Sequence, residues 1–103
     1  MPVEVLWHPQ AKTDLLDIYV AIGLENPPAA ERMYDALEAR AQQLAMHPRL
    51  GSRRPDIRAG MRVLVEGPYL ILYETLPDTD EGPVSQIAIV RVIDGRRDLA
   101  RIF

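Results

Sequence analysis

The sequence contains no cysteine, two histidines and one lysine, and these shortages exclude several kinds of site. Without cysteine the chain can form neither a disulfide framework, nor a thiol nucleophile, nor a cysteine-based zinc site. The two histidines, His8 and His47, are too few for a histidine metal cluster and are more simply residues at helix ends. We therefore expect no metal and no cofactor.

Long apolar runs are absent as well. A membrane-spanning helix needs roughly 20 consecutive apolar residues, and no run in this sequence approaches that length. The first ten residues, MPVEVLWHPQ, have neither the basic region nor the apolar region of a secretory signal. We expect a cytoplasmic protein without a membrane partner.

The chain has 103 residues and is predicted to form a single domain, 1–103, near the lower size limit for a chain that buries its own core. Its net charge is −3, but residues 49–62 hold five arginines against one aspartate, a local net charge of +4. Arginine favours bidentate contacts with carboxylates or phosphates. This segment is either a docking surface for an acidic partner or a solvated loop, and both readings remain open. The acidic segment 77–82 is predicted to be a solvated hairpin connection.

The periodicity of the apolar residues changes along the chain from helical spacing to alternation. It predicts a strand at 3–7, helices at 8–26 and 26–48, and strands at 61–66, 69–76 and 84–93. The last strand is long and β-branched, so we expect it to be buried inside the sheet. The order β-α-α-β-β-β predicts an α+β domain in which a helical hairpin packs on a mostly antiparallel twisted sheet.

Catalytic motifs are scarce. Neither Ser52 nor Ser85 sits in a strand-to-helix elbow, and no glycine-rich phosphate loop exists. Asp14 and Asp17 are predicted to lie on the solvent side of the first helix as part of a polar face. The remaining chemical hypothesis is phosphodiester cleavage, in which arginines stabilise the transition state and a tyrosine or histidine moves the proton.

Three stretches carry a resemblance to a known family: NPPAAERMYDAL, LGSRRPDIRAGMRVLVEGPYLILYE and IVRVIDGRRDL. Together, in this order, they resemble the RelE/ParE superfamily of bacterial type II toxins, and the chain is closer to the ParE branch. The resemblance implies a RelE/ParE-like fold, a role in plasmid stabilisation or growth inhibition, and a ParD-like antitoxin that forms a hetero-oligomer with the toxin. It also implies DNA gyrase as the target, without hydrolysis.

The RelE branch offers the alternative, a ribosome-dependent mRNA endoribonuclease, here built on Arg54, Arg62 and Arg97. RelE-type nucleases carry a tyrosine or histidine shortly after the last strand, and this place falls at or near Phe103. They also carry several lysines near the middle loop, whereas this chain has only Lys12. We therefore expect no catalytic residues, no enzyme and no sequence-specific nucleic-acid binding. A toxin-like fold that only binds its partner is a third reading.

Two sets of candidate binding residues follow from the resemblance and the charge pattern. The candidate target-binding residues are on the basic, apolar C-terminal segment: Arg96, Arg97, Arg101 and Phe103. The candidate antitoxin-binding residues combine the outer face of the two helices with the arginine-rich loop: Leu16, Tyr19, Val20, Tyr34, Leu37, Arg53, Arg54 and Arg58.

Overall fold

The computed structural model describes residues 3–96, and its elements follow the predicted order with one addition. The addition is a two-residue strand, too short to show any alternation in the sequence. Between residues 3 and 96, no helix has both the length and the apolar character needed to cross a membrane. The elements are β1 (Glu4–Trp7), α1 (Pro9–Gly23), α2 (Pro27–Met46), β2 (Ser52–Arg53), β3 (Arg62–Glu66), β4 (Tyr69–Leu76) and β5 (Gln86–Asp94).

Both helices begin with a capping side chain followed by proline. The Nδ1 of His8 accepts a hydrogen bond from Gln10 N–H at 3.1 Å, and the Oδ1 of Asn26 accepts one from Ala29 N–H, also at 3.1 Å. Each cap satisfies a backbone donor that has no partner inside the helix, and proline is tolerated in the first turn because its missing N–H is not needed there. His47 is the C-cap of α2. The prediction that both histidines lie at helix ends is confirmed.

The five strands form one sheet in the order β1-β5-β4-β3-β2. β1 runs parallel to β5, and the other three pairings are antiparallel, so the mostly antiparallel sheet is confirmed. β5 has a neighbour on each side, as predicted for the last strand. The register between β4 and β5 shifts where Leu72 faces Arg91 and Tyr73 faces Ile89. Val90 therefore has no partner in β4, which makes a β-bulge.

The sheet is covered on both faces. On the helix side the core is built from buried residues of both helices and the inner strands, among them Leu37, Leu44, Ile71 and Ile89. A second cluster on the other side consists of Met61, Val63, Leu72 and Ile93, with Ile57 of the preceding loop packed against it. Burial of each such large side chain stabilises the fold by roughly 1.5–3 kcal/mol. The helical hairpin is thereby fixed on one face with its other side exposed.

Candidate functional site

The outward side of the helical hairpin carries exposed apolar side chains. On α1, Leu16 is 58% exposed, Val20 56% and Tyr19 37%. The rings of Tyr19 and Tyr34 meet edge to face, with centroids 5.8 Å apart and an interplanar angle of 81°. This geometry suits the ring quadrupoles and holds both side chains in place. The hairpin therefore presents a preformed apolar surface to solvent.

Two neighbouring grooves follow this surface and share Leu16 and Tyr34. One has a volume of about 450 Å³ and is also lined by Tyr19, Glu31 and Asp35. The other has a volume of about 290 Å³, and its remaining lining residues are Trp7, Lys12, Leu15 and Glu38. The floor is apolar and most of the charged side chains at the rim are acidic. We call the two together the hairpin groove.

Leu37 does not belong to the hairpin groove, and its assignment as an exposed antitoxin contact was wrong. Its side chain is 0% exposed and lies in the helix-side core. Leu37 shares a buried stripe of α2 with Ala30, Ala41 and Leu44, which recur at helical spacing and face the sheet. The helical period identified the stripe, but Tyr34, one turn earlier, lies at the edge of this stripe and reaches the groove.

The three arginines predicted as a docking surface all have carboxylate partners within the chain. Arg53 contacts two aspartates, Asp78 Oδ1 at 2.9 Å and Asp80 Oδ1 at 2.8 Å. The hydrogen bond from Arg53 is the main reason that the pKa of Asp80 is lowered. Charge in this loop is therefore largely balanced internally.

The other two arginines of this set, Arg54 and Arg58, pair with carboxylates that are closer to them in the sequence. Arg54 binds Asp56 in bidentate fashion, at 2.9 and 2.8 Å. Arg58 Nη2 lies 2.7 Å from Glu74 Oε1 of β4. A role of Arg53, Arg54 and Arg58 in antitoxin binding stays a prediction, and any such partner must compete with these internal carboxylates.

The acidic segment 77–82 is the exposed connection between the antiparallel strands β4 and β5, as predicted, and it also contacts the arginine-rich loop. Besides the contacts with Arg53, Arg49 donates to Thr79 O at 2.9 Å, to Thr79 Oγ1 at 3.1 Å and to Gly82 O at 3.0 Å. These residues are about 30 positions apart in the chain. The two loops become neighbours only because β3 and β4 are paired.

A buried polar cluster under these loops was not found by sequence reasoning. Tyr73 is 0% exposed; its hydroxyl donates to Pro48 O at 2.9 Å and accepts from Gly51 N–H at 2.8 Å. Burial raises the pKa of Tyr73, opposed by the hydrogen bond from Gly51 and the charge of Arg62. Arg62 is 5% exposed and donates to Gly51 O at 3.1 Å. In the sequence, a tyrosine on a strand is most simply interpreted as a packing residue. No pattern indicated that the hydroxyl of Tyr73 binds the loop at Pro48 and Gly51.

Asp14 is buried, which contradicts the prediction of a solvent-side carboxylate. It is 8% exposed and accepts hydrogen bonds from Arg91 Nε, Arg91 Nη2 and Val92 N–H. Desolvation alone would raise the pKa of Asp14, but these donors together with Gln10 hold it below its ordinary value of 3.8. The prediction that Asp17 is exposed is confirmed.

The acidic and histidine side chains of residues 3–96 are dispersed. No group of three or more histidine, cysteine, aspartate or glutamate side chains there is arranged to hold a metal ion. The acidic side chains near arginines are instead engaged in the ion pairs described above.

Residues 5–99 match the profile of the family described as the ParE toxin of the type II toxin-antitoxin system, parDE. The chain belongs to this family. The Toxin ParE3 of Caulobacter vibrioides is 31% identical to this ParE-family chain over 71 residues, which cover 69% of the chain and 64% of that protein's length.

Solved structures give the same fold. A structure described as the chromosomal ParDE TA system from P. aeruginosa superposes on this chain with a TM-score of 0.72 and 21% identity, over 89% of the chain and 95% of its own. The RelBE2 toxin-antitoxin complex from Mycobacterium tuberculosis superposes with a TM-score of 0.62 and 28% identity, over 91% and 99%. The predicted RelE/ParE-like α+β fold and the predicted membership of the ParE branch, a family of toxins of type II toxin-antitoxin systems, are confirmed.

Of the candidate target-binding residues in this ParE-family chain, the structure describes Arg96. Its side chain is 85% exposed, and its Nη2 lies 2.5 Å from Asp94 Oδ2 in a pair at the end of β5. Arg97, Arg101 and Phe103 lie outside the described residues. The assignment of these four residues to a target stays a prediction.

Proposed function

We propose that this ParE-family toxin is neutralised by a ParD-like antitoxin that binds in the hairpin groove. The observation that carries the proposal is the exposed apolar surface of Leu16, Tyr19 and Val20 beside the ordered ring of Tyr34. A surface of this kind on two packed helices suits the apolar face of an amphipathic helix from a partner. An antitoxin segment that folds as it binds would bury these side chains.

The experiment replaces one exposed groove residue with a charge, Leu16→Glu. Binding to the purified protein encoded by the adjoining gene is measured by calorimetry. We expect affinity to fall by about 30-fold or more, the equivalent of about 2 kcal/mol for the loss of central apolar contacts. The fold should remain intact because the Leu16 side chain is mostly exposed.

Leu24→Glu is the matched control. Leu24 is 82% exposed and follows the end of the same helix, and it lines neither part of the hairpin groove. Its replacement should leave antitoxin affinity within a few-fold of the original. Equal losses in the control and in the groove variant would refute binding in the groove.

We propose further that the toxin acts in the cytoplasm by inhibiting DNA gyrase and does not cleave nucleic acid. Membership of the ParE family supports the first part. The chemistry of the described residues supports the second, because Tyr73 is buried with both hydrogen bonds of its hydroxyl committed to the loop at Pro48 and Gly51. His8, another residue type that could move a proton, is committed to capping α1. The arginines of 49–62, which would have to stabilise the transition state, all contact other residues of the chain.

Two assays separate the proposed target from the alternative. Plasmid supercoiling by purified gyrase should be inhibited by the protein, and the variant Arg96→Ala, Arg97→Ala should lose inhibition. The variant Lys12→Ala, Arg32→Ala removes the same charge elsewhere and should inhibit normally. Codon-specific cleavage of a translated message in a toeprinting assay, with unaffected gyrase, would instead identify the RelE-like ribosome-dependent endoribonuclease.

A further inference from the structure

The acidic loop (residues 77–82) contacts several arginines, but one of them, Arg62, is left with incomplete hydrogen bonding. Arg62 Nη2 lies 3.6 Å from Asp80 Oδ1, whereas the contacts of Arg53 with the same loop are 2.8 and 2.9 Å long. In the described part of the chain, the buried Nε of Arg62 has no hydrogen-bond partner. A buried donor without a partner is unfavourable, more so when it is charged.

The same contact is easily broken. Asp80 is 78% exposed and Asp78 47% exposed, and ion pairs between such exposed groups contribute little to stability. A carboxylate from another molecule therefore needs little free energy to displace Asp78 and Asp80 from the arginines. It can gain more than Asp80 does if it reaches both Nε and Nη2 of Arg62, because the planar guanidinium binds a carboxylate best in bidentate fashion.

The spacing of the two aspartates indicates the shape of a competitor. Asp78 and Asp80 are two positions apart and both reach the guanidinium of Arg53. Thr79 N–H donates to Pro77 O at 3.0 Å, so the chain turns at Asp78, and in this turned form both carboxylates reach Arg53. Beside them, Arg49 binds backbone oxygens of Thr79 and Gly82. The arginines thus hold a turned acidic segment by its carboxylates and by its backbone.

We propose that Arg49, Arg53 and Arg62 form a binding site for an acidic peptide segment of a partner protein with two carboxylates two positions apart, and that Asp78 and Asp80 occupy this site in the free chain. The acidic loop is then an internal competitor, which the partner's carboxylates displace. The proposal rests on the proposed function in one respect only, that the antitoxin is the protein carrying the segment. Peptide binding can be tested without the antitoxin.

The probe is a capped synthetic peptide with the sequence of residues 76–83, LPDTDEGP, and its binding is measured by fluorescence anisotropy. The unaltered chain should bind it weakly, because the tethered loop acts at an effective concentration in the millimolar range. The variant Asp78→Asn, Asp80→Asn should bind at least about tenfold more tightly, since the competent state is no longer masked. Thermal unfolding of each variant confirms that it is folded, and Asp80→Asn alone serves if the double variant is not.

Charge-matched controls decide the interpretation. Glu25→Gln with Glu81→Gln removes the same two charges, and neither carboxylate contacts an arginine within residues 3–96; this variant should bind like the unaltered chain. Adding Arg53→Gln to the double aspartate variant should abolish the gain, as should the peptide LPNTNEGP. A gain equal to that of the charge-matched control, a gain that survives Arg53→Gln, or tighter binding of an unstructured RNA than of the peptide would overturn the proposal. None of these results depends on whether an antitoxin binds the hairpin groove.

Discussion

Asp14 Oδ2 accepts a 2.7 Å hydrogen bond from Arg91 Nε, although the two residues are 77 positions apart in the chain. Asp14 also accepts from Val92 N–H at 3.0 Å. β1 pairs with β5 only as far as Ile89, so beyond that point the open edge of β5 is met by α1. One carboxylate therefore neutralises a partly buried arginine and satisfies a backbone donor, which joins the helix of the hairpin groove to the last strand.

Removal of this carboxylate's charge should destabilise the fold. We expect Asp14→Asn to lower the free energy of unfolding by about 3 kcal/mol, the lower end of the range for breaking a buried pair, since the guanidinium left behind is not fully buried. Asp17→Asn, on the exposed side of the same helix, should change it by less than about 0.5 kcal/mol. Urea unfolding at neutral pH measures both. Equal small effects would show that Asp14 contributes no more than a surface charge.

The same pair should make stability depend on pH at the acid end. The pKa of Asp14 is lower in the folded protein than its ordinary value of 3.8, so its contribution is fully present above that value. It is lost as the pH falls through the folded pKa, because protonation then removes the charge that Arg91 stabilises. The difference in unfolding free energy between the unaltered chain and Asp14→Asn should therefore be constant at neutral pH and shrink in acid. A difference that grows on acidification would contradict the assignment.

The hydroxyl of Tyr73 should contribute more to the free energy of unfolding than the hydroxyl of an exposed tyrosine does. Tyr73→Phe removes the acceptor of the buried Gly51 N–H and the donor to Pro48 O. We expect a loss of about 1–3 kcal/mol, the cost of a buried polar group left without its partner. Tyr19→Phe is the control, since Tyr19 is 37% exposed and its contact with Tyr34 is through the ring. Thermal unfolding with no difference between the two variants would exclude the anchoring role.

Gly51 should tolerate no side chain. A Cβ built there would lie 2.7 Å from both Tyr73 Cε1 and Val63 O. Because the backbone oxygen cannot move aside cheaply, we expect Gly51→Ala to cost about 1–3 kcal/mol or more. Gly23→Ala is the matched change, since its Cβ would meet Ala30 Cβ at an ordinary 3.6 Å at the end of α1. That variant should be neutral or slightly stabilising in a urea titration, and a cost similar to that of Gly51→Ala would refute the steric argument.

Substitutions of Leu37 and Leu16 should have different effects, the first on stability and the second on antitoxin binding. Leu37→Ala removes a side chain that is 0% exposed, so we expect a loss of about 2–5 kcal/mol in unfolding free energy. Leu16→Ala, at a position 58% exposed, should change stability by less than about 0.5 kcal/mol and instead weaken antitoxin binding. Calorimetric titration and thermal unfolding of both variants provide the comparison. Normal antitoxin binding by Leu16→Ala would argue against the hairpin groove.

The sequence by itself determined the elements and their order. Helical spacing and strand alternation are local signals, and a capping residue followed by proline, as at Asn26, marks each helix start within one position. The end of α1 at Gly23 lies three positions before the predicted 26. The same local signals could not find β2, whose two residues show no period, or the bulge at Val90, which exists only relative to β4. Arginine-rich motifs indicated the family because they are contiguous in the chain.

Only the tertiary structure decided which charges meet. Asp14 had the sequence character of a polar helix face, and nothing in the sequence of the exposed acidic loop indicated an arginine partner. Their partners, Arg91 and Arg53, are 77 and 27 positions from Asp14 and Asp80, respectively. An ion pair depends on the folded distance and on burial, which no local pattern carries. The core position of Leu37 was decided in the same way, by the rotation at which α2 packs on the sheet.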